Sequence, residues 1–404
     1  MHSYDANNRP LLVDVPHSSN DIAYSYYPDG ALHTLSSGPS TWTYTYNKRR
    51  LPLTEQLGID GRIATITHAY NALGQESSLT YPDGLIVATN PNALGKPSPA
   101  GSYASGISYF ANGGMSGFTY GNGIVHTLTQ NLRELPLRSL DQQPGHAAIL
   151  DDTYAYDADA DVTAITDGTS GNPNNRSMGY DGLDRLTVTN APHQWWISAT
   201  TSYDALDNIT SNTVGNRSYN YGYDPTTGRL NQLTRADHTL AMSLGYDANG
   251  NVTSKGVGQD SYVFDAANRM QAVTDKESYV YDGYGRRVKI VRTTDNKIDY
   301  PIYTMGGQLL TEDDQRSGKT TDYVSLNGSL VAKRSTTIGG NTWTTSYEHT
   351  DALHSPVTET DVSGVASRIE RYTPYGEPGD GSYANRPGYT GHVTDAATGL
   401  TYAQ

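Results

Sequence analysis

The sequence predicts an all-β protein, an array of β-hairpins that pair into a curved, thin-walled sheet. Three observations lead there. A Tyr-Asp turn recurs along the chain at a spacing of about 20 residues, enough for two short strands and their turns. Tyrosine outnumbers phenylalanine 32 to 3, which points to aromatic rings that keep one wet or hydrogen-bonded edge. No stretch combines helical periodicity with caps, so helix is expected to be minor.

The repeating unit is clearest in Tyr246-Asp247-Ala248-Asn249-Gly250-Asn251-Val252-Thr253. Tyr246 closes an incoming strand, and Val252 and Thr253 are β-branched residues suited to an outgoing one. Between them, Asn249-Gly250 is a hairpin signal, because the reversal needs positive φ and these residues tolerate it. Asp247 can accept hydrogen bonds from backbone N–H groups just ahead of it. Copies begin at Tyr156-Asp157, Tyr180-Asp181, Tyr203-Asp204, Tyr223-Asp224, Phe264-Asp265 and Tyr281-Asp282. In this reading the signature positions, Gly250 and Asn251 included, are structural.

Taken in order, the chain enters the pattern at once with Tyr4-Asp5, followed by looser copies at Tyr27, Tyr46, Tyr70 and Tyr81. In Tyr27-Pro28-Asp29-Gly30 and Tyr81-Pro82-Asp83-Gly84 proline presets φ and glycine supplies the positive one. Residues 90–150 are irregular, punctuated by Pro91, Pro97, Pro99 and Pro144. Clear copies resume at Tyr154 and run to about Arg292. There Tyr279 and Tyr281 share one strand face, as do Val288 and Ile290 after the turn. From about residue 300 the spacing changes, giving two domains, a repeat array over 1–299 and a distinct module over 300–404. Within the module, hairpins are expected around Asn327-Gly328 and around 361–364. A lone hairpin is marginal in water, so the repeats must pair with their neighbours. With few fully apolar residues, a thin wall is expected rather than one compact core.

The net charge of −14 leaves no electrostatic footprint for a nucleic-acid backbone. Much of the acidity is turn chemistry. The absence of cysteine excludes disulfides and thiolate metal sites. No run has the 18 or so apolar residues of a membrane helix, and the first 30 residues lack a signal-peptide core, so export would depend on sequence outside this chain.

Residues 347–404 carry an ordered set of motifs: Tyr347-Glu348-His349-Thr350-Asp351, Ser355-Pro356-Val357, Arg371-Tyr372-Thr373-Pro374-Tyr375-Gly376-Glu377, Gly388-Tyr389-Thr390-Gly391-His392, Asp395, and Thr398-Gly399-Leu400-Thr401-Tyr402. With the Tyr-Asp turns, this set resembles the Rhs/YD-repeat family of bacterial polymorphic toxins, Tc toxin cocoon components and teneurins, over essentially the whole chain. The resemblance implies that 300–404 is the family's core module, truncated at its C-terminal end, with His349, Asp351, Pro374, Gly376, Gly391, Asp395 and Gly399 as structural signature residues. It also implies that the repeats curl as a spiral sheet into a curved, partly open, hollow β-shell, a non-catalytic, secreted or cell-surface bacterial shell enclosing a C-terminal effector absent from this chain, with delivery or secretion components as partners. The family's aspartyl self-cleavage segment would begin at about Gln404, so neither that activity nor an enzyme is carried over. Where the family has Leu-Gly-Ser-Pro this chain has Leu353-His354-Ser355-Pro356, which puts one tight turn in question.

Other candidate sites have plainer readings. Asp157, Asp159 and Asp161 suggest a calcium loop, but an EF-hand wants Gly and Glu where Val162 and Gly168 stand. Ser317-Gly318-Lys319-Thr320 ends like a phosphate loop without its first glycine. His349, Asp351 and His354 are metal-ligand or triad types in no known spacing. The Asn208 and Asn251 sequons fall on repeat turns. No cofactor is expected. The tyrosine faces leave one alternative function, a cell-surface protein that binds carbohydrates.

Overall fold

A computed structural model describes residues 2–15, 20–171, 174–256, 260–379 and 385–402. The chain is nearly all β and runs as one long antiparallel meander, in which each strand pairs with its sequence neighbours. It divides into a nine-stranded sheet over residues 2–88, a fourteen-stranded sheet over 104–255, an eleven-stranded sheet over 262–369 and a two-stranded hairpin over 393–402. None of the sheets closes into a barrel. Among the described residues the only helical element is the 3-10 turn Tyr389–Gly391. Residues 89–103 form no strand, and regular hairpins begin again at Ala104. The third sheet passes through residue 300 without interruption.

The repeated turn has one local construction. Tyr180 pairs with Leu186 just after a register shift, and a three-residue loop reverses the chain. The Asp181 N–H donates to the Arg185 carbonyl (3.0 Å), and the Asp184 N–H donates back to the Asp181 carbonyl (3.1 Å). The Asp181 Oδ1 accepts the N–H groups of Leu183 (3.0 Å) and Arg185 (3.2 Å), which would otherwise lack partners. This is a type I turn followed by a left-handed bulge residue, here Asp184 at φ 58°.

Asp157, Asp204, Asp265, Asp282, Asp351 and Asp361 cap their turns in the same way. Asn47, Asn71, Asn92 and Asn131 do so with an amide oxygen. Asp224 caps a loop one residue longer, in which Tyr223 pairs with Leu230.

The reversal expected at Asn249-Gly250 forms, between Tyr246 and Val252. Positive φ falls on Gly250 alone (95°), at the bulge position, and Asp247 heads the turn by accepting the Asn251 N–H (2.8 Å). Asn327-Gly328 is a true two-residue turn, with both residues at positive φ and Leu326 paired with Ser329. At His354 the imidazole stands at φ 63° where the resembled family has glycine, and the turn forms nonetheless.

Burial is uneven. The largest apolar cluster joins all three sheets, through Trp42, Tyr44 and Ile66 of the first, Phe118 of the second, and Val288 and Leu310 of the third. Gly283 lets the third sheet approach the first, since a Cβ there would lie 2.5 Å from Leu35. In the later strands of the second sheet the buried cluster shrinks to Ala191, Trp196, Ala199 and Val214. The expected thin wall describes that stretch, whereas the facing sheets share a substantial core.

Because the bulge residue is left-handed, Ala160 (φ 78°) carries a strain that Gly250 avoids. Ala160→Gly should raise the unfolding free energy by about 1 kcal/mol at most, seen as a higher denaturant midpoint, and Gly250→Ala should lower it by about 1 kcal/mol with an unchanged m-value.

Candidate functional site

Two features stand out in the arrangement of side chains: a rim of stacked turns and a seam where distant sheets meet. On the rim, each tyrosine reaches back one repeat. The hydroxyls of Tyr156, Tyr180, Tyr203, Tyr223 and Tyr246 donate to the carbonyls of Pro136 (2.7 Å), Val162 (2.9 Å), Leu186 (2.9 Å), Ile209 (2.9 Å) and Leu230 (2.5 Å). Tyr281 bonds Met270 likewise (2.7 Å), and burial pushes its phenol up to about 12. A phenylalanine could fill the space but would leave those carbonyls unpaired. Phe264 stands just after the break between the second and third sheets.

Cationic and amide side chains tie successive turns together. Arg133 donates to the carbonyls of Asp157 and Ala158 (2.8 Å each), Arg185 to that of Asp204 (2.9 Å), and Arg229 to that of Asp247 (3.2 Å). Lys96 reaches the Gly113 carbonyl (2.6 Å), and Asn249 and Asn251 reach Asn268 (3.1 and 2.9 Å). These last contacts cross the two sheet breaks, so the rim is continuous where the ladders are not.

The seam is polar and buried. Asp282 caps its own turn with Oδ1, while its Oδ2 accepts the Trp42 indole N–H (2.9 Å) and is held by Arg286 (2.8 Å). His68 lies between Glu55 and Glu76 (2.9 Å each), and Glu55 also accepts the Met305 N–H (2.5 Å) from the third sheet. Burial draws the imidazole down, but the two carboxylates outweigh it and hold His68 up at about 9.

Further along, Asp141 of the second sheet takes His126 on one oxygen and His349 of the third on the other (2.6 Å each). Burial would raise its pKa, and the two imidazoles bring it well below the usual range instead. Salt bridges Arg62–Asp313 and Arg334–Asp83 join the first and third sheets, as does Lys289–Asp60 (2.6 Å).

The signature residues of the module separate. His349 is wholly buried and bonds Asp141 and Thr360, whereas Asp351 caps a turn and His354 contacts the Ser329 hydroxyl. They form neither a triad nor a metal set. Among the described residues no group of three or more metal-ligand side chains converges. Asp157 accepts the N–H groups of Asp159 and Asp161, as a turn cap does. Ser317 and Gly318 lie in the hairpin turn after Leu309–Asp314, and Lys319 and Thr320 open the strand Lys319–Leu326.

The Pro374 carbonyl accepts the Tyr389 hydroxyl (3.3 Å), and a Cβ on Gly376 would lie 2.4 Å from the same ring. The Gly391 N–H donates to the Gly388 carbonyl, and the Gly399 N–H closes a turn on the Asp395 carbonyl (2.8 Å). Sequence reasoning missed Asp141, Glu55, Trp42 and the seam role of Asp282. Their only local signal is an acid or indole set in a β-patterned run.

The sequence matches no protein-family model and no curated relative. Solved structures are similar in fold. The crystal structure of TcdB2-TccC3 superposes with a TM-score of 0.79 at 16% identity, covering 99% of this chain and 25% of that one. The same complex without its hypervariable C-terminal region gives 0.73 at 15%, covering 99% and 25%. The Photorhabdus luminescens Tc holotoxin pore with a TccC3 variant gives 0.58 at 13%, covering 100% and 26%. The chain therefore spans about a quarter of the length of the chains it matches.

Tyr180→Phe should cost about 1 kcal/mol in equilibrium unfolding, the net worth of one rung of the ladder. The folded pKa of His68 lies above its unfolded value of 6.5, so its contribution is complete below pH 6.5 and lost as pH rises through about 9. The thermal midpoint should fall across that window, and His68→Gln should make the fall shallower.

Proposed function

We propose that this chain is a non-catalytic wall segment of an Rhs-type toxin shell, secreted or surface-borne in a bacterium, whose enclosed effector lies outside the chain. The observation that carries this reading is the fold likeness to TcdB2-TccC3 over 99% of the chain, joined to the ordered motifs of residues 347–402. The physics of the wall fits enclosure. Backbone groups are consumed by ladders, turn caps and tyrosine rungs, and the seam joins distant sheets through buried polar contacts. An effector behind such a wall would be kept from proteases and from the producing cell, and would depend on delivery components to leave it.

The carbohydrate-binding alternative drew on the tyrosine faces. Along the repeat those hydroxyls are committed to backbone carbonyls, and among the described tyrosines only Tyr4, Tyr284 and Tyr375 are exposed. The geometry therefore favours the wall.

A fusion carrying an Asp-Pro cleavage segment and an effector after Gln404 should digest at least tenfold more slowly than the free effector under limiting protease. Asp282→Ala, which removes the seam bond to Trp42, should narrow that difference. Equal digestion of fused and free effector would count against containment, and saturable binding on a glycan array would favour the alternative.

A further inference from the structure

The short hairpin 393–402 lies on the third sheet over an unusual concentration of charge. Its Asp395 is 4% exposed and lies beside Glu277, which is 1% exposed, at the start of the strand Glu277–Tyr281. The Tyr279 hydroxyl stands within reach of both (3.3 Å to Glu277, 3.5 Å to Asp395). From the strand Arg287–Arg292, Arg287 places its guanidinium 3.9 Å from Asp395, between the rings of Tyr279 and Tyr402, and donates its backbone N–H to the Tyr402 hydroxyl (2.9 Å).

Beyond them Arg316 meets Glu277 (3.4 Å), Asp299 (2.8 Å) and Asp314 (2.7 Å), and Glu312 accepts the Tyr323 hydroxyl (2.8 Å). Arg292, opposite Glu277 in register, is engaged by Asp295, and Lys276 by Asp260. A cavity of about 20 Å³ lies between hairpin and sheet, lined by Arg287, Asp299, Glu312, Arg316, Asp395 and Tyr402.

Five carboxyls, those of Glu277, Asp299, Glu312, Asp314 and Asp395, thus face two guanidiniums in a space nearly closed to water. Full ionisation would leave three uncompensated buried charges, a state such a site cannot hold. Two buried carboxyls that reach the same Tyr279 hydroxyl repel each other when both are charged, and a proton on Glu277 relieves that repulsion.

We propose that the hairpin 393–402 is a proton-dependent latch, held on the third sheet while the buried Glu277 carboxyl beside Asp395 keeps its proton and released when Glu277 ionises. Release gives the Glu277 proton to solvent. Burial, then the contact with Asp395, pushes Glu277 up to about 8, with Arg316 opposing. The docked state therefore keeps its proton between the ordinary Glu value near 4.5 and about 8, where the undocked state has lost it. Docking weakens as pH rises through that window and levels off above it.

Hydrogen exchange of the full chain between pH 5 and 9, corrected for intrinsic rates, tests this without reference to enclosure. Protection of the 393–402 amides should fall by up to about tenfold per pH unit from pH 5 to 8, while amides of the strand Arg217–Tyr223 hold steady. Glu277→Gln, neutral at every pH, should flatten the profile. If that variant also loses protection in Arg217–Tyr223, Asp395→Asn, which keeps a turn-capping oxygen, takes its place. Constant hairpin protection in the wild type, or an unchanged slope in the variant that folds, would overturn the latch.

Discussion

The constraint on which the rest depends is the supply of partners for backbone N–H groups at each reversal. A three-residue loop leaves two of them pointing inward, and one carboxylate or amide oxygen accepts both. With that oxygen in place the turn closes with a left-handed fourth residue, the register shifts once, and the next strand leaves in phase. The tyrosine before it is then aimed at the carbonyl that opened the preceding repeat. Turn, bulge and rung are one unit, and its repetition makes the wall.

Within the wall each strand depends on two neighbours, as in other repeat proteins, so stability is a sum of small nearest-neighbour terms. The seam adds contacts of another kind. Asp282, Glu55 and Asp141 are each almost fully buried, and each is held by an indole, guanidinium, imidazole or backbone N–H from more than one strand. Such groups are costly to bury and costlier to leave half-paired, so they specify which strands meet more than they add stability. Asp282 links the two levels, because the oxygen that closes its own turn sits on the carboxylate that anchors Trp42.

What was legible in the sequence follows the range of the interaction. The Asp cap reaches two and four residues ahead, so Asp181 and Leu183 betray it together. The excess of tyrosine over phenylalanine announced hydrogen-bonded rings, though not that Tyr203 would find Leu186. Asn249-Gly250 marked the reversal, but a dipeptide does not fix how many residues the loop spans, and Asp247 two positions earlier decides that. The seam was invisible. Trp42 and Asp282 are 240 positions apart, and His349 and Asp141 are 208 apart, and no local pattern encodes such a meeting. The absence of a compact core was right where the second sheet stands alone and wrong where sheets face one another, since that depends on curvature rather than composition.

The length of those separations has a consequence for how the protein is made. At roughly 5 to 20 residues per second, a ribosome takes on the order of tens of seconds to travel from Trp42 to Asp282. Hairpins of the nine-stranded sheet can zip together in that time, because their contacts are local. Their inner face, with Trp42, Tyr44 and Ile66, is not fully covered until the third sheet, with Val288 and Leu310, is synthesised. Biogenesis thus passes through a stage in which a finished surface waits, sticky and partly uncovered, for a partner still inside the translation machinery.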